Sequence, residues 1–418
     1  MTGGINLTDV GGPMRILFLH RSFPGQFRYL APILAQIKDI QVAFLTTWET
    51  GEIPGVRKIV YRPQQGTPLT HGYLRGLENS INYGQAAYRE ASKLKREGFI
   101  PDVIIGHSGW GSTLFMKDLF PKTPLICHFE WFYRAHGSSL DFDPAFPLNA
   151  DNEAEIRIKN SSTLLDLAAC DGGISPTIWQ RHQFPREFHS KISVFHEGIH
   201  TRMFKPNPGT ELVLPHQGID LTGAQELVTY VATGMEPLRG FPQFMEGVEL
   251  LQKRRPKCHV VVVGEDRVEY CNPLPEGKTY KQLALEKGQF DLSRLHFTGR
   301  LSVEEYRRVL WASSVHVYLT YPFILSWSML EAMSCGCLVV GSDTPPVREV
   351  IEDNINGRLV DFFSPGQLVA SIIEGLEDRD ATARMRQNAR ETILDRYDLQ
   401  KLLPRQIAML QQAVTRTG

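Results

Sequence analysis

Apolar positions along this chain fall into two alternating patterns. Short runs dominated by Val, Ile, Leu and Phe occupy residues 15–20 (RILFLH), 42–46, 103–106 (VIIG), 125–127, 227–232 (LVTYVA), 259–264 (HVVVVG), 295–298, 316–319 (HVYL) and 338–340. Runs of this length predict strands covered on both faces, as in a parallel sheet. Weaker runs at 58–61, 172–175, 192–195 and 359–362 predict further strands. Between the strands, apolar residues recur at helical spacing. Residues 79–97 carry Ala86, Ala87, Ala91 and Leu94 on one stripe, and helices are also predicted over 152–169, 381–397 and 399–414 and from residues 241 and 302. Alternation of strand and helix, carried through twice, predicts an α/β chain with two Rossmann-like domains.

The seam between the two series is polar. Residues 204–222 hold Pro206, Pro208 and Pro215, which reads as a linker. The expected organisation is a first domain over 14–203, a linker over 204–223, a second domain over 224–385 and C-terminal helices over 386–418. A chain of 418 residues exceeds one ordinary core, which agrees with two domains. Residues 1–13 are Gly-rich and polar and lack the basic-then-apolar order of a signal peptide, so they are expected to be a disordered extension.

Charge and cysteine content narrow the class. Lys and Arg number 45 against 46 Asp and Glu, which gives no global reason to expect nucleic-acid binding. No apolar run is long enough to span a bilayer. The six cysteines lack metal-ligand spacing, and Cys335 and Cys337 stand too close together for a common zinc pair, so reduced cytoplasmic thiols are expected.

Candidate chemistry gathers where strands end, because ligands of open α/β sheets lie beyond the carboxyl ends of the strands. The first strand runs into a turn with Gly25. The run at 103–106 delivers His107, and the run at 125–127 delivers His128 and Glu130. In the second series, 227–232 leads to a loop ending in Arg239-Gly240 at a strand-to-helix turn. Gly264 closes the next strand, and Arg300 and Leu301 follow the one after. Residues 321–352 read as loop, short helix and strand. Leu325, Ser326 and Trp327 lead into the helix, Ser326 or Ser328 caps it, and Gly336 ends it. Glu331 falls in its first turns, beside an amide end that attracts phosphate. Asp141-Phe142-Asp143 has metal-ligand spacing but lies in a Pro-rich loop and not after a strand, so no metal site is expected there.

The stretch Glu331-Ala332-Met333 with Gly336 resembles the donor-binding signature of retaining GT-B glycosyltransferases of family four, in which a Glu, seven residues and a second Glu precede Ala-Met and Gly. The position of the first Glu holds Phe323. The resemblance extends from Met14 onward and implies two Rossmann-like domains facing across a cleft, with the last helix crossing back to the first domain. It implies that Glu331 holds the ribose, that Arg239 binds the diphosphate, and that Gly25, Gly264, Arg300, Leu301, Leu325, Ser326 and Trp327 line the donor. His128 is placed near the transferred sugar as a catalytic residue with Arg239 and Glu331, and His107 and Glu130 are placed on the acceptor side. The implied partners are a nucleotide-diphosphate sugar, used as co-substrate with no cofactor, and a glycan or lipid-linked acceptor, with contact at a membrane surface as a further expectation. A sugar-nucleotide 2-epimerase and a non-catalytic nucleotide-sugar-binding protein stay open beside the transferase, the latter because of Phe323.

Overall fold

The computed structural model describes residues 14–67 and 71–417. The chain forms two compact units, one of residues up to Gly198 together with those from Leu399, the other of Ile199–Asp398.

The first unit is built on a parallel sheet of seven strands. These are β1 (Met14–Leu19), β2 (Ile40–Thr46), β3 (Val56–Val60), β4 (Val103–His107), β5 (Leu125–His128), β6 (Gly172–Ser175) and β7 (Ile192–Val194), ordered 3-2-1-4-5-6-7. Its helices are α1 (Leu30–Leu34), α2 (Arg75–Arg96), α3 (Met116–Leu119), α4 (Ala150–Lys159), α5 (Ser161–Ala169) and α6 (Ile178–Gln183). Side chains alternate across a strand, so β1 feeds two cores. Leu17 and Leu19 pack with Ala86, Ala87, Ala91 and Leu94 of α2, while Ile16 and Phe18 pack with Leu30, Ala31 and Leu34 of α1.

The second unit opens with an antiparallel pair, β8 (Val213–Leu214) and β9 (Ile219–Asp220). Its main sheet is parallel: β10 (Leu227–Gly234), β11 (His259–Glu265), β12 (Leu295–Gly299), β13 (Val315–Tyr318), β14 (Leu338–Ser342) and β15 (Arg358–Val360), ordered 12-11-10-13-14-15. The helices are α7 (Phe241–Arg254), α8 (Tyr280–Lys287), α9 (Val303–Ala312), α10 (Trp327–Ser334), α11 (Pro345–Arg348), α12 (Pro365–Glu377) and α13 (Arg379–Arg396). The last helix, α14 (Leu399–Thr417), belongs to the first unit, where Leu399, Leu403, Ile407 and Leu410 line one stripe against Ile16 and Phe18.

Several expected bounds change. Residues 204–223 are not a linker: Phe204 is buried with α10 and α13, and Leu212, Leu214, Ile219 and Leu221 form a core with Val261, Val263 and Val309. The division between units falls after Gly198 and not after residue 203. Of residues 386–418, α13 stays with the second unit and only α14 joins the first. The helix expected over 152–169 breaks at Asn160, whose side chain accepts from the Tyr133 amide (2.9 Å) and donates to the Tyr133 carbonyl (2.8 Å). The extension expected at residues 1–13 lies outside the described residues.

Candidate functional site

The strand order of each sheet reverses once, between β1 and β4 in the first unit and between β10 and β13 in the second. Helices diverge at such a point and leave a crevice at the strand ends.

In the second unit this point is held by Arg239. After β10 the chain makes one tight turn, Pro237–Arg239, and Gly240 follows at φ 66°. A Cβ at Gly240 would lie 2.4 Å from the Leu319 Cβ, so only glycine lets the turn sit against the end of β13. The Tyr230 hydroxyl donates to the Arg239 carbonyl at 2.7 Å. Arg239 is 8% exposed, and its Nη1 donates to the Tyr318 hydroxyl (3.3 Å), Thr320 Oγ1 (3.0 Å) and the Ile324 carbonyl (3.0 Å). Nε and Nη2 have no hydrogen-bond partner among the described residues. Burial opposes the charge, but Tyr318, Tyr270 and Glu236 more than offset it and hold the pKa above the ordinary arginine value.

The walls around Arg239 are aromatic. The rings of Tyr270 and Phe323 each lie 5.6 Å from its Cζ and meet edge to face at 5.0 Å. Glu236 fixes the Tyr270 segment. It is fully buried, and its Oε2 accepts the amides of Glu269, Tyr270 and Cys271 at 2.9–3.0 Å, while Oε1 meets no partner. The Tyr318 hydroxyl that takes a bond from Arg239 also accepts the Ser326 amide at 2.9 Å. Ser326 is the N-cap of α10, so the cation and the amide end of that helix are tied through one oxygen. Glu331, 5% exposed on α10, accepts from the Tyr306 hydroxyl at 3.0 Å; burial and the nearby carboxylate raise the Tyr306 pKa. No direct hydrogen bond joins Arg239 and Glu331; they are connected through the loop and first turns of α10.

The other residues singled out in this half are spread along the strand ends. Leu325 is buried beneath α10 with Tyr318 and Met329, and Trp327 packs on the same cluster. Gly264 has φ 143°, and a Cβ there would lie 2.0 Å from the Ala232 carbonyl oxygen. Arg300 and Leu301 follow β12, two strands from β10 in the sheet. Arg300 is exposed, and Leu301 packs against the core around Val309. An open depression of about 730 Å³ lined by Glu352, Asn356, Asn388, Glu391 and Arg396 contains none of these residues.

In the first unit the reversal point is filled by a buried polar chain. Nδ1 of His20, just past β1, lies 2.8 Å from both the amide nitrogen and the carbonyl oxygen of Ser22, and its Nε2 meets Gln26 Oε1. Burial, helped by the His107 charge, brings its pKa down to about 3. A neutral ring that accepts at Nδ1 donates at Nε2, which directs the Gln26 amide nitrogen to Glu130 Oε1 at 2.7 Å. Glu130 Oε2 meets His107 Nε2 at 3.2 Å. Burial would raise the Glu130 pKa, but the hydrogen bond and charge of His107 win and hold it low. Gly25 stacks its backbone on His20: a Cβ there would come within 2.2 Å of the ring. His107 is sandwiched by Trp110 at 4.2 Å and His128 at 5.3 Å. Asp166 pins the Trp110 loop at both ends, accepting Ser108 Oγ (2.7 Å) and Thr113 Oγ1 (2.8 Å).

The sequence therefore located Arg239, Glu331, His107, His128 and Glu130 at strand ends or on α10, and missed Gln26, Trp110, Glu197, Glu236, Tyr270 and Tyr318. Glu236 sits inside the loop already marked by Arg239. Tyr270 had no local signal. The Asp141 carboxylate accepts the Gly137 and Ser138 amides, and Asp143 accepts that of Ala145, so both serve turns. Among the described residues no group of His, Cys, Asp and Glu could hold a metal ion, and no helix is long and apolar enough to cross a membrane.

Comparison with known proteins adds to this geometry. Residues 38–204 match the model of the glycosyl transferase family 4 group, and residues 220–392 match that of glycosyl transferases group 1. An uncharacterized glycosyltransferase of Methanocaldococcus jannaschii is 26% identical over 155 residues, 37% of each chain. A D-inositol 3-phosphate glycosyltransferase of Thermobispora bispora is 22% identical over 241 residues, 56% of this chain and 54% of that one. The chain thus spans about a third to a half of the length of the curated relatives it matches. Among solved structures, Anabaena HepE in complex with UDP-glucose is similar with a TM-score of 0.69 at 18% identity, over 96% of this chain and all of that one.

Proposed function

We propose that this chain, which belongs to the glycosyl transferases group 1 and has the GT-B fold, moves a hexose from a nucleotide-diphosphate sugar to a hydroxyl of a glycan or lipid-linked acceptor, with retention at the anomeric carbon. The observation that carries this reading is Arg239. Its Nη1 is anchored three ways at the strand-order reversal, and Nε and Nη2 have no hydrogen-bond partner among the described residues. A guanidinium held in that way is suited to two oxygens of a diphosphate.

The barrier in glycosyl transfer is charge. A diphosphate departs while the sugar carbon becomes cationic, so donors already aimed at the leaving oxygens lower the barrier. Arg239 and the amide end of α10 supply them, and Glu331 accepts the ribose hydroxyls. To Gly25, His128, His107 and Glu130 of the first unit we assign the sugar and the acceptor. The sugar is attacked on the face the diphosphate leaves, and the leaving phosphate takes the acceptor proton. UDP is the nucleotide we favour, because the similar HepE holds UDP-glucose. The donor is a co-substrate and no further cofactor enters this scheme.

The test is transfer or hydrolysis of UDP-sugars by the purified chain, with UDP affinity measured beside it. Charge-assisted hydrogen bonds contribute about 1.5–3 kcal/mol each, so Arg239→Ala is expected to weaken UDP roughly tenfold to a hundredfold. Glu331→Ala is expected to lower affinity and turnover together. Equal activity in wild type and both variants would sink the reading. Phe323 favours one second reading. It is buried against Tyr270 where a carboxylate would meet the sugar, and tight UDP-sugar binding with no turnover on any acceptor would support a binding protein instead.

A further inference from the structure

The buried chain in the first unit has a second branch that the transferase reading does not use. His128 closes β5, and its Nε2 lies 2.8 Å from Glu197 Oε1, just past β7. Both side chains are at least nine-tenths buried. The other Glu197 oxygen lies 3.4 Å from His196 Nε2. The backbone of this segment is tied to α14, where Gln406 donates to the carbonyls of His196 (3.1 Å) and Glu197 (3.3 Å). His128 Nδ1 is buried and meets no hydrogen-bond partner among the described residues. A carboxylate at Nε2 and nothing at Nδ1 leaves that nitrogen as the one unpaired group of the ring.

We propose that Glu197 is a positioning residue that fixes the His128 ring through Nε2 and supplies the negative charge that makes it a cationic donor, with its Nδ1 proton reserved for an oxygen of the donor sugar. The inference rests on the transferase reading above and extends it to a residue outside the donor-binding stretch. The groups around His128 agree. Glu197 faces it from the segment after β7, Glu130 from the loop after β5, His107 from β4 at 5.3 Å and the Phe27 ring at 6.3 Å. His196 shares Glu197, and the charge of Arg28 acts on His196. Burial opposes a charge on His128, but the bond and charge of Glu197, with Glu130 adding, outweigh it and raise its pKa above the ordinary value. His196 goes the other way: burial, with Arg28 and His128, lowers it. Glu197 thus raises the proton affinity of His128, while that of His196 is lowered.

Imidazole NMR titration of the full-length chain tests this, with His128→Asn to identify the resonance. In wild type His128 is expected to titrate above 6.5, and in Glu197→Gln at least about one pH unit lower, a tenfold change in proton affinity. Wild-type affinity for UDP-glucose relative to UDP is expected to fall as pH rises through that midpoint, and the break is expected at lower pH in the variant. A wild-type midpoint at or below 6.5, the same midpoint in both proteins, or no break in relative affinity would each overturn the proposal. The wild-type titration needs no variant to fold. Binding of UDP alone reports on Arg239, so its absence would fail the transferase reading while the His128 titration still decides on Glu197.

Discussion

At the scale of single residues, Arg239 shows why a lysine is not a substitute. Its Nη1 is spent on three protein oxygens, and the rest of the fork is left over. A lysine has one nitrogen and can serve either the three oxygens or a phosphate. Arg239→Lys is therefore expected to lose UDP affinity almost as far as Arg239→Ala, although charge is kept. Near-wild-type binding of UDP by Arg239→Lys, read by calorimetry, would contradict this. Asp166 carries a prediction in pH. Burial brings its pKa up to about 6, against the two hydroxyl bonds that lower it. Its proton is held more tightly folded than unfolded. It contributes stability below about pH 4, and that contribution is lost as pH rises through about 6. At pH 7 the buried carboxylate costs on the order of 3 kcal/mol. Asp166→Asn keeps an oxygen for Ser108 and Thr113. Whatever fixed penalty its amide brings, the variant is expected to gain on wild type between pH 4 and pH 7 in urea melts. A stability gap that is flat over that range would refute the assignment.

At the scale of elements, most strands could be read from composition because both faces of each sheet are covered. The run HVVVVG predicts a strand at 259–264 and the structure has His259–Glu265. Helix ends were readable where a local cap exists, as with Ser302, which accepts the Glu305 amide. They were not readable where the partner is distant. Asn160 breaks a helix by bonding Tyr133, and nothing in its neighbourhood signals that. Residues 204–223 misled because their prolines outweighed Leu212, Leu214, Ile219 and Leu221, which pair across β8 and β9. The last helix makes the same point from the other side. Its stripe at Leu399, Leu403, Ile407 and Leu410 is plain in the sequence, but its place on the first sheet depends on the whole fold. Leu403 is fully buried there. Leu403→Ala is expected to destabilise the first unit by about 2–5 kcal/mol, although it lies near the end of the chain. Thermal unfolding within about 0.5 kcal/mol of wild type would mean that α14 is not part of that core.

At the scale of the whole molecule, the same rule produced a site in each unit. In both sheets the strand order reverses once, and at each reversal the chain places buried polar groups: Arg239 with Tyr318 in one, His20 with His107 in the other. Topology makes the crevice, and that is why residues at strand ends could be singled out from sequence. What fills the crevice comes from distant segments. Tyr270 reaches Arg239 only because Glu236 gathers three amides of its loop. Arg300 and Leu301, which the resemblance assigned to the donor, follow β12, two strands away from β10. The two sites also differ in what they can bind. The second unit presents a cation whose Nε and Nη2 have no hydrogen-bond partner among the described residues, while the first presents a hydrogen-bonded chain of imidazoles and carboxylates. Bound UDP is therefore expected to slow amide hydrogen exchange at residues 234–240, 265–271 and 320–331, at least tenfold at about 100-fold excess over its Kd. Exchange around His107 and His128 is expected to stay unchanged with UDP and to slow only when UDP-glucose brings a sugar. Protection by UDP centred on residues 105–130, with the Arg239 turn unaffected, would assign the nucleotide to the other unit and reverse the roles argued for both.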